Sequence, residues 1–215
     1  AQIKSGEIYF KGENLLLYKE KQMRELRGNR IALIPQDPMT SLNPLYTVGN
    51  QMVEAIRAHS HVSERQALRK AREVMDMVCI PDADRKLKFY PHEFSGGMKQ
   101  RIIIAMALAC QAELIIADEP TTALDVTIQK QIMDLLDDIK KEFGTTILLI
   151  SHDLALVSNY ADNISVMYSG HIVEKAPAKD FFRKPLHPYS IALLDSLPTR
   201  NPALKLRTIE GSPPS

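Results

Sequence analysis

The residues best able to do chemistry lie between Glu93 and Asp125, in the run EFSGGMKQRIIIAMALACQAELIIADEPTTALD. At one end, Ser95-Gly96-Gly97 makes a polar turn whose paired glycines let backbone N–H groups converge on an anion without Cβ interference. At the other, Asp118 and Glu119 close Leu114-Ile115-Ile116-Ala117, a short, partly β-branched apolar run that fits a buried strand. Open α/β sheets take their ligands at the C-terminal ends of such strands. A carboxylate there suits Mg²⁺, which prefers one or two carboxylates together with phosphate oxygens and water. Glu119 is then placed to polarise an attacking water, and Pro120 ends the strand. Taken alone, an acidic pair after a strand is more often something other than catalytic, such as a cap of the helix that follows.

Gln36 and His152 stand behind apolar runs of the same kind, Ile31–Ile34 and Thr145–Ile150. Three polar strand ends converging on one sheet edge are a less probable accident than one. His152 is suited to hydrogen-bond a terminal phosphate, and Gln36 to ligate a metal or orient water. The chemistry that emerges is that of phosphate and metal.

The elements that must position these residues are legible from spacing. Apolar residues recur at helical period after the glycine turn (Ile102, Ile103, Met106, Ala107, Cys110), over Thr47–Val78 with a His59-Ser60-His61 break, and over Ile128–Ile139 up to Phe143-Gly144. Ser63 is a candidate N-cap. A strand pair is expected over Gly6–Phe10 and Leu15–Leu17 around Lys11-Gly12, and a hairpin over Ile164–Tyr168 and His171–Glu174 around Ser169-Gly170. Pro35 and Pro38 argue against regular helix there, so 39–44 is expected as surface loop. Short helices broken by prolines follow Pro177, ending in the turn Gly211-Ser212-Pro213-Pro214. Strands alternating with helices give an α/β fold with a largely parallel sheet.

The 215 residues suit one large domain, with or without a small subdomain. A formal charge of +1 gives no footprint for nucleic acid. Cys79 and Cys110 fit no metal spacing and are expected as reduced, packed thiols. His59 and His61 could suggest a metal, but a helix–helix connection explains them without further ligands. No apolar run reaches the roughly 18–20 residues that span a bilayer.

Phe94-Ser95-Gly96-Gly97-Met98-Lys99-Gln100-Arg101 resembles the signature motif of ATP-binding cassette (ABC) ATPases, and Leu114–Pro120 looks like their Walker B strand. Ala123-Leu124-Asp125 is similar to the D-loop, Gln36 to the Q-loop glutamine and Ser151-His152-Asp153 to the switch histidine, all in the family's order. Gln36–Pro44, Pro91–Phe94 and Pro188-Tyr189 resemble the ATPases of bacterial peptide and nickel importers, and Met98 with Pro120–Thr127 the first member of their ATPase pair. The resemblance implies a P-loop NTPase-like (RecA-like) α/β core, roughly 1–46 and 111–176, with a helical subdomain at 47–110 and a C-terminal extension at 177–215. It implies that Asp118, with Gln36, holds Mg²⁺, that Glu119 is the general base, and that His152 contacts the γ-phosphate. Ser95, Gly96, Gly97 and Met98 would bind ATP held by a second ABC ATPase subunit, across an interface that Asp125 shares. Segment 37–48 and the helical subdomain would receive a coupling helix from one of two permease subunits, fed by an extracytoplasmic binding protein. The implied place is the cytoplasmic face of the bacterial inner membrane, and the implied role is an ATPase driving uptake of peptides or metal chelates.

No G-x-x-x-x-G-K-[ST] occurs in these residues, and Lys4 and Lys11 lie in no glycine-rich strand-to-helix loop. The chain therefore reads as an N-terminally truncated cassette, expected to bind ATP very weakly, not to hydrolyse it, and to leave apolar surface open. Other expectations of the same residues are a soluble ABC ATPase outside transport, or a catalytically silent partner that offers only the signature motif.

Overall fold

Lys11 and Gly12, with φ of 49° and 81°, turn Tyr9–Phe10 (β1) back onto Glu13–Asn14 (β2). This hairpin opens a computed structural model that describes residues 3–122 and 124–196. The chain divides into two units, 1–150 and 151–215. Leu15–Leu17 does not extend the hairpin as its apolar run predicts. The Asn14 side chain accepts the Leu16 N–H at 3.1 Å and winds the segment into a 3₁₀ turn.

Glu20–Leu26 (α1) leads past Gly28, at φ +76°, to Ile31–Ile34 (β3). A single helical turn, Pro38–Ser41 (α2), occupies part of the expected loop, because proline is tolerated where the first-turn N–H would be unpaired anyway. Val48–His59 (α3) and Glu64–Met77 (α4) are the two expected helices. Thr47 and Ser63 cap them, accepting from the N–H of Asn50 and Gln66, and Gln66 Oε1 accepts in turn from Ser63 N at 2.9 Å. Ala83–Lys86 (α5) and a 3₁₀ turn at Pro91–Glu93 fill the link to Gly96–Ala109 (α6). Leu114–Asp118 (β4), Val126–Phe143 (α7) and Thr146–Ile150 (β5) complete the unit, with Gly144 at φ +65° ending α7.

β3, β4 and β5 form a parallel sheet in that order, with Ile34 opposite Ala117 and Asp118 opposite Ile150. Helix α6 is apolar nearly all round and packs against α3, α4 and β3. It buries Ile102, Ile103, Ile104 and Ala105, alongside Met52, Ile56 and Met75. Each of these isoleucines and methionines contributes about 1.5–3 kcal/mol on leaving water.

The strands are not buried on both faces as their unbroken apolar runs predict. Ala32, Ile34, Ile115 and Ala117 are buried, but on alternate positions Leu33 is 59% exposed, Leu148 52% and Ile150 46%. Within the first unit that face is largely open, and it is apolar surface of the kind the sequence leads one to expect. Both cysteines are free thiols as expected, but one departs from the expected packing. Cys79 is exposed at φ 59°, and only Cys110 is part-buried, its thiol pushed up by that burial.

In the second unit Asp153 caps Leu154–Tyr160 (α8), and Ser169-Gly170 turns Asn163–Tyr168 (β6) onto His171–Pro177 (β7). Ala178–Arg183 (α9) and Pro188–Asp195 (α10) follow. Ile164, Val166, Ala178 and Phe181 are its core. Glu174 ties α10 to the hairpin by accepting the N–H of Leu186 (2.9 Å) and His187 (3.0 Å), and the rings of Tyr168 and Tyr189 meet at 4.5 Å. The Ser190 hydroxyl beside it, short of full hydrogen-bond geometry, and those two N–H groups hold the Glu174 carboxyl below the usual range, against a smaller upward push from burial. The expected turn at Gly211–Pro214 lies outside the described residues.

Candidate functional site

The parallel register delivers the polar strand ends to one edge. Gln36 lies two residues beyond Ile34, and Ile34 is opposite Ala117, the residue before Asp118. Gln36 Nε2 donates to Glu119 Oε2 at 2.8 Å, across 83 residues of chain. The Thr122 hydroxyl donates to the same oxygen at 2.8 Å. Glu119 has φ +43°, a left-handed conformation that costs a non-glycine residue about 1–3 kcal/mol and recurs at functional sites. Its N–H donates to Ile150 O at 2.9 Å, so the kink is clamped to the end of β5. Asp118 and Glu119 are both part-exposed, with the buried Pro120 and Thr121 behind them. A carboxylate pinned by two donors, beside a second carboxylate at the mouth of a parallel sheet, can orient a water and accept its proton.

Thr122 and Gln129 carry weight that the sequence reading missed. Gln129 Nε2 donates to the carbonyls of Thr121 (3.2 Å) and Leu124 (3.1 Å), bracing the loop from α7. A hydroxyl residue three positions after Glu119, behind a proline-started turn, is the signal that could have found Thr122. No cluster of three or more His, Cys, Asp or Glu able to cage a metal exists among the described residues. The hard oxygens of Asp118 and Gln36 do fit Mg²⁺, which takes few protein ligands and completes its shell with phosphate and water.

The glycine turn sits at the start of α6. Ser95 is exposed, and its Oγ accepts the Met98 N–H at 3.4 Å as the N-cap. Gly96 and Gly97 are part-buried. A Cβ on Gly97 would lie 2.7 Å from Ile128 Cγ2, and one on Gly96 3.6 Å from Leu124 Cδ2. Gly97 is therefore required by the approach of α7 to α6, whether or not an anion binds there. Asp125, with Oδ1 accepting the Ile128 N–H at 3.0 Å, is the N-cap of α7. The two predicted groups are thus two arrangements, Gln36 with Glu119 at the sheet edge and Ser95–Met98 with Asp125 at paired helix starts. His152 belongs to the second unit, exposed, next to the Asp153 cap whose N–H donates to Ser151 Oγ at 3.0 Å.

The family model described as ABC transporter matches residues 1–122, and that of the oligopeptide/dipeptide transporter C-terminal region matches 173–215. The probable peptide ABC transporter ATP-binding protein y4tR of Sinorhizobium fredii is 56% identical over 200 residues, covering 93% of this chain and 60% of that protein. The oligopeptide transport ATP-binding protein OppD of Salmonella typhimurium is 47% identical, covering 98% of this chain and 63% of that protein. The dipeptide transport ATP-binding protein DppD of Bacillus subtilis is 46% identical, covering 100% and 64%. The chain thus spans somewhat under two thirds of the length of these relatives. Among solved structures, the dimeric ATP-binding cassette MJ0796 in a post-hydrolysis state with ADP and Pi has a TM-score of 0.72 at 25% identity, over 81% of this chain and 74% of that one. CbiO1 of Clostridium perfringens, part of an ABC transporter complex, has 0.71 at 28% identity, over 88% and 71%. With the strand-end carboxylates, the glycine turn and the family model falling on the same residues, the chain belongs to the ABC transporter family.

Proposed function

We propose that this chain is part of the ATP-binding and ATP-hydrolysing subunit of a bacterial importer for di- or oligopeptides or metal chelates. The observation that carries the reading is the left-handed Glu119, whose carboxylate is held by Gln36 and Thr122 at the C-terminal edge of a parallel sheet. In this reading Glu119 takes the proton of the attacking water, Gln36 keeps the carboxylate aimed, and His152 binds the terminal phosphate. Asp118, with Gln36, would hold Mg²⁺, which when bound supplies charge neutralisation to the phosphates. Ser95, Gly96, Gly97 and Met98 would present N–H groups and the positive end of α6 to ATP on a second ABC ATPase subunit, with Asp125 on the shared interface. That relatives are named as peptide, oligopeptide and dipeptide transport ATP-binding proteins supports the substrate class.

A docking place for a permease pair has support in segments 37–48 and 47–110, the latter taken as a helical subdomain. Leu45 and Tyr46 are 79% and 55% exposed. Gln51 Nε2 braces their loop by donating to the carbonyls of Asn43 (2.9 Å) and Tyr46 (3.0 Å). No helix among the described residues is long and apolar enough to cross a membrane. Attachment to the cytoplasmic face of the inner membrane would therefore run through the permeases or through residues beyond those described. Calorimetric titration with Mg-ATP tests the nucleotide half, and the expected binding in this chain is very weak, for want of a glycine-rich lysine loop. Micromolar binding would overturn that expectation. Co-purification with two permease subunits tests the transport half, and recovery with ribosomes instead would move the protein to the soluble class.

A further inference from the structure

One more concavity combines shape with charge, far in sequence from the strand-end carboxylates. Between α1 and the C-terminal end of α3, Lys21, Arg24, Arg57, His59 and His61 line a pocket of about 380 Å³ whose one carboxylate is Glu25. Lys21, Arg24 and Arg57 make no ion pair among the described residues, whereas the neighbouring Arg27 is taken by Glu20 at 2.9 Å. The chain as a whole carries only +1, so the cluster is a local excess rather than a sample of a basic surface.

The wall is built rather than incidental. A Cβ on Gly28 would lie 2.9 Å from His59 Nε2, so the imidazole rests against the bare α-carbon of a residue held at φ +76°. Arg57 and His59 in the last turn of α3 also complement that helix's dipole, which explains their sign but not the Lys21 and Arg24 that face them from α1. The pocket falls in the lower part of the roughly 300–1,000 Å³ range of ligand sites. Ala58 is its one apolar lining residue, and it has no phenyl, phenol or indole ring on which a base could lie. Guanidinium forks match tetrahedral oxyanions in pairs of hydrogen bonds.

We propose that this pocket binds a phosphate-bearing anion through Lys21, Arg24, Arg57 and the two imidazoles, the phosphate being carried by a small soluble ester or by a lipid headgroup. The site is separate from the ATP reading and stands or falls without it.

Diphosphate titrated into the intact chain at low salt is the first arm, with calorimetry for affinity and imidazole NMR signals for location. Saturable binding is expected, moving the His59 and His61 signals and leaving those of His92 and His171 in place. Arg24→Ala with Arg57→Ala should weaken it at least tenfold, and Glu25→Gln should strengthen it several-fold. Flotation with phosphatidylglycerol against phosphatidylcholine vesicles is the second arm. Capture by the anionic vesicles alone assigns the phosphate to lipid, and diphosphate binding without capture assigns it to a soluble ester. Absence of both, affinity unchanged in a folded double variant, or binding only to a polynucleotide overturns the site. If the double variant fails to fold, Glu25→Gln decides, since an unchanged affinity there overturns it as well.

Discussion

The sheet edge and the glycine turn lie within one stretch of sequence but are made in opposite ways. At the edge, geometry comes from side chains that are present. Glu119 is forced left-handed, clamped to Ile150 O, and aimed by Gln36 and Thr122. At the turn, geometry comes from a side chain that is missing at Gly97 and from two caps, Ser95 and Asp125. An isosteric change at the first should remove chemistry and spare the fold. A small change at the second should disturb the fold before any chemistry is measured.

The largest expected effect tests the first half of that contrast. In a preparation that turns over ATP, Glu119→Gln should lower turnover by roughly 10²–10⁴-fold, the usual worth of a positioned general base. ATP binding should be kept and stability should change by less than about 1 kcal/mol, since the amide keeps an acceptor for Gln36. Near-normal turnover would place the base elsewhere. Gly97→Ala tests the second half. Overpacking against Ile128 should cost about 1–3 kcal/mol in chemical denaturation. Adding Ile128→Ala should make the glycine change less costly, and a double variant showing no coupling would remove the steric account. Asp125→Ala should cost about 1 kcal/mol for the lost cap of α7, with Asp125→Ser recovering most of it.

The smallest effect lies in the second unit and gives the contrast a control, a carboxylate held by N–H groups with no chemistry assigned. The native pKa of Glu174 lies below its ordinary value of 4.5. Its stabilisation is therefore whole above that value and fades as pH falls through the lower native one. Thermal unfolding of the second unit should lose on the order of 1 kcal/mol across that acid window, after discounting for solvent screening. Glu174→Gln should flatten the loss, and an unchanged pH profile would show that the clamp contributes nothing.

Periodicity and turn chemistry made most of the elements legible. Ser63, Gly144 and Gly170 mark their boundaries with residues whose local preference agrees with the fold. Leu15–Leu17 departs from its apolar pattern because one asparagine side chain outbids the strand, and Pro38 starts a helical turn because proline, a breaker in a helix interior, is tolerated at its start. That some apolar surface stays open is expected from the sequence, but its place at Leu33, Leu148 and Ile150 is not, since burial belongs to the neighbours a strand has and not to its own residues. At the site, the pairing of Gln36 with Glu119 follows from two strand ends. The left-handed turn at Glu119, the part of Thr122 and the clash that demands Gly97 arise only once the helices and strands are packed.

The parallel register also sets a timetable. Gln36 and Glu119 are joined across 83 residues, and closing so long a loop must precede any reward from the contact. The α3–α4 hairpin, whose capped helices touch through neighbouring turns of chain, has no such delay. A growing or refolding chain is therefore expected to assemble its helical pair early, and to bring the strand ends that carry Gln36 and Glu119 together among the last of its events.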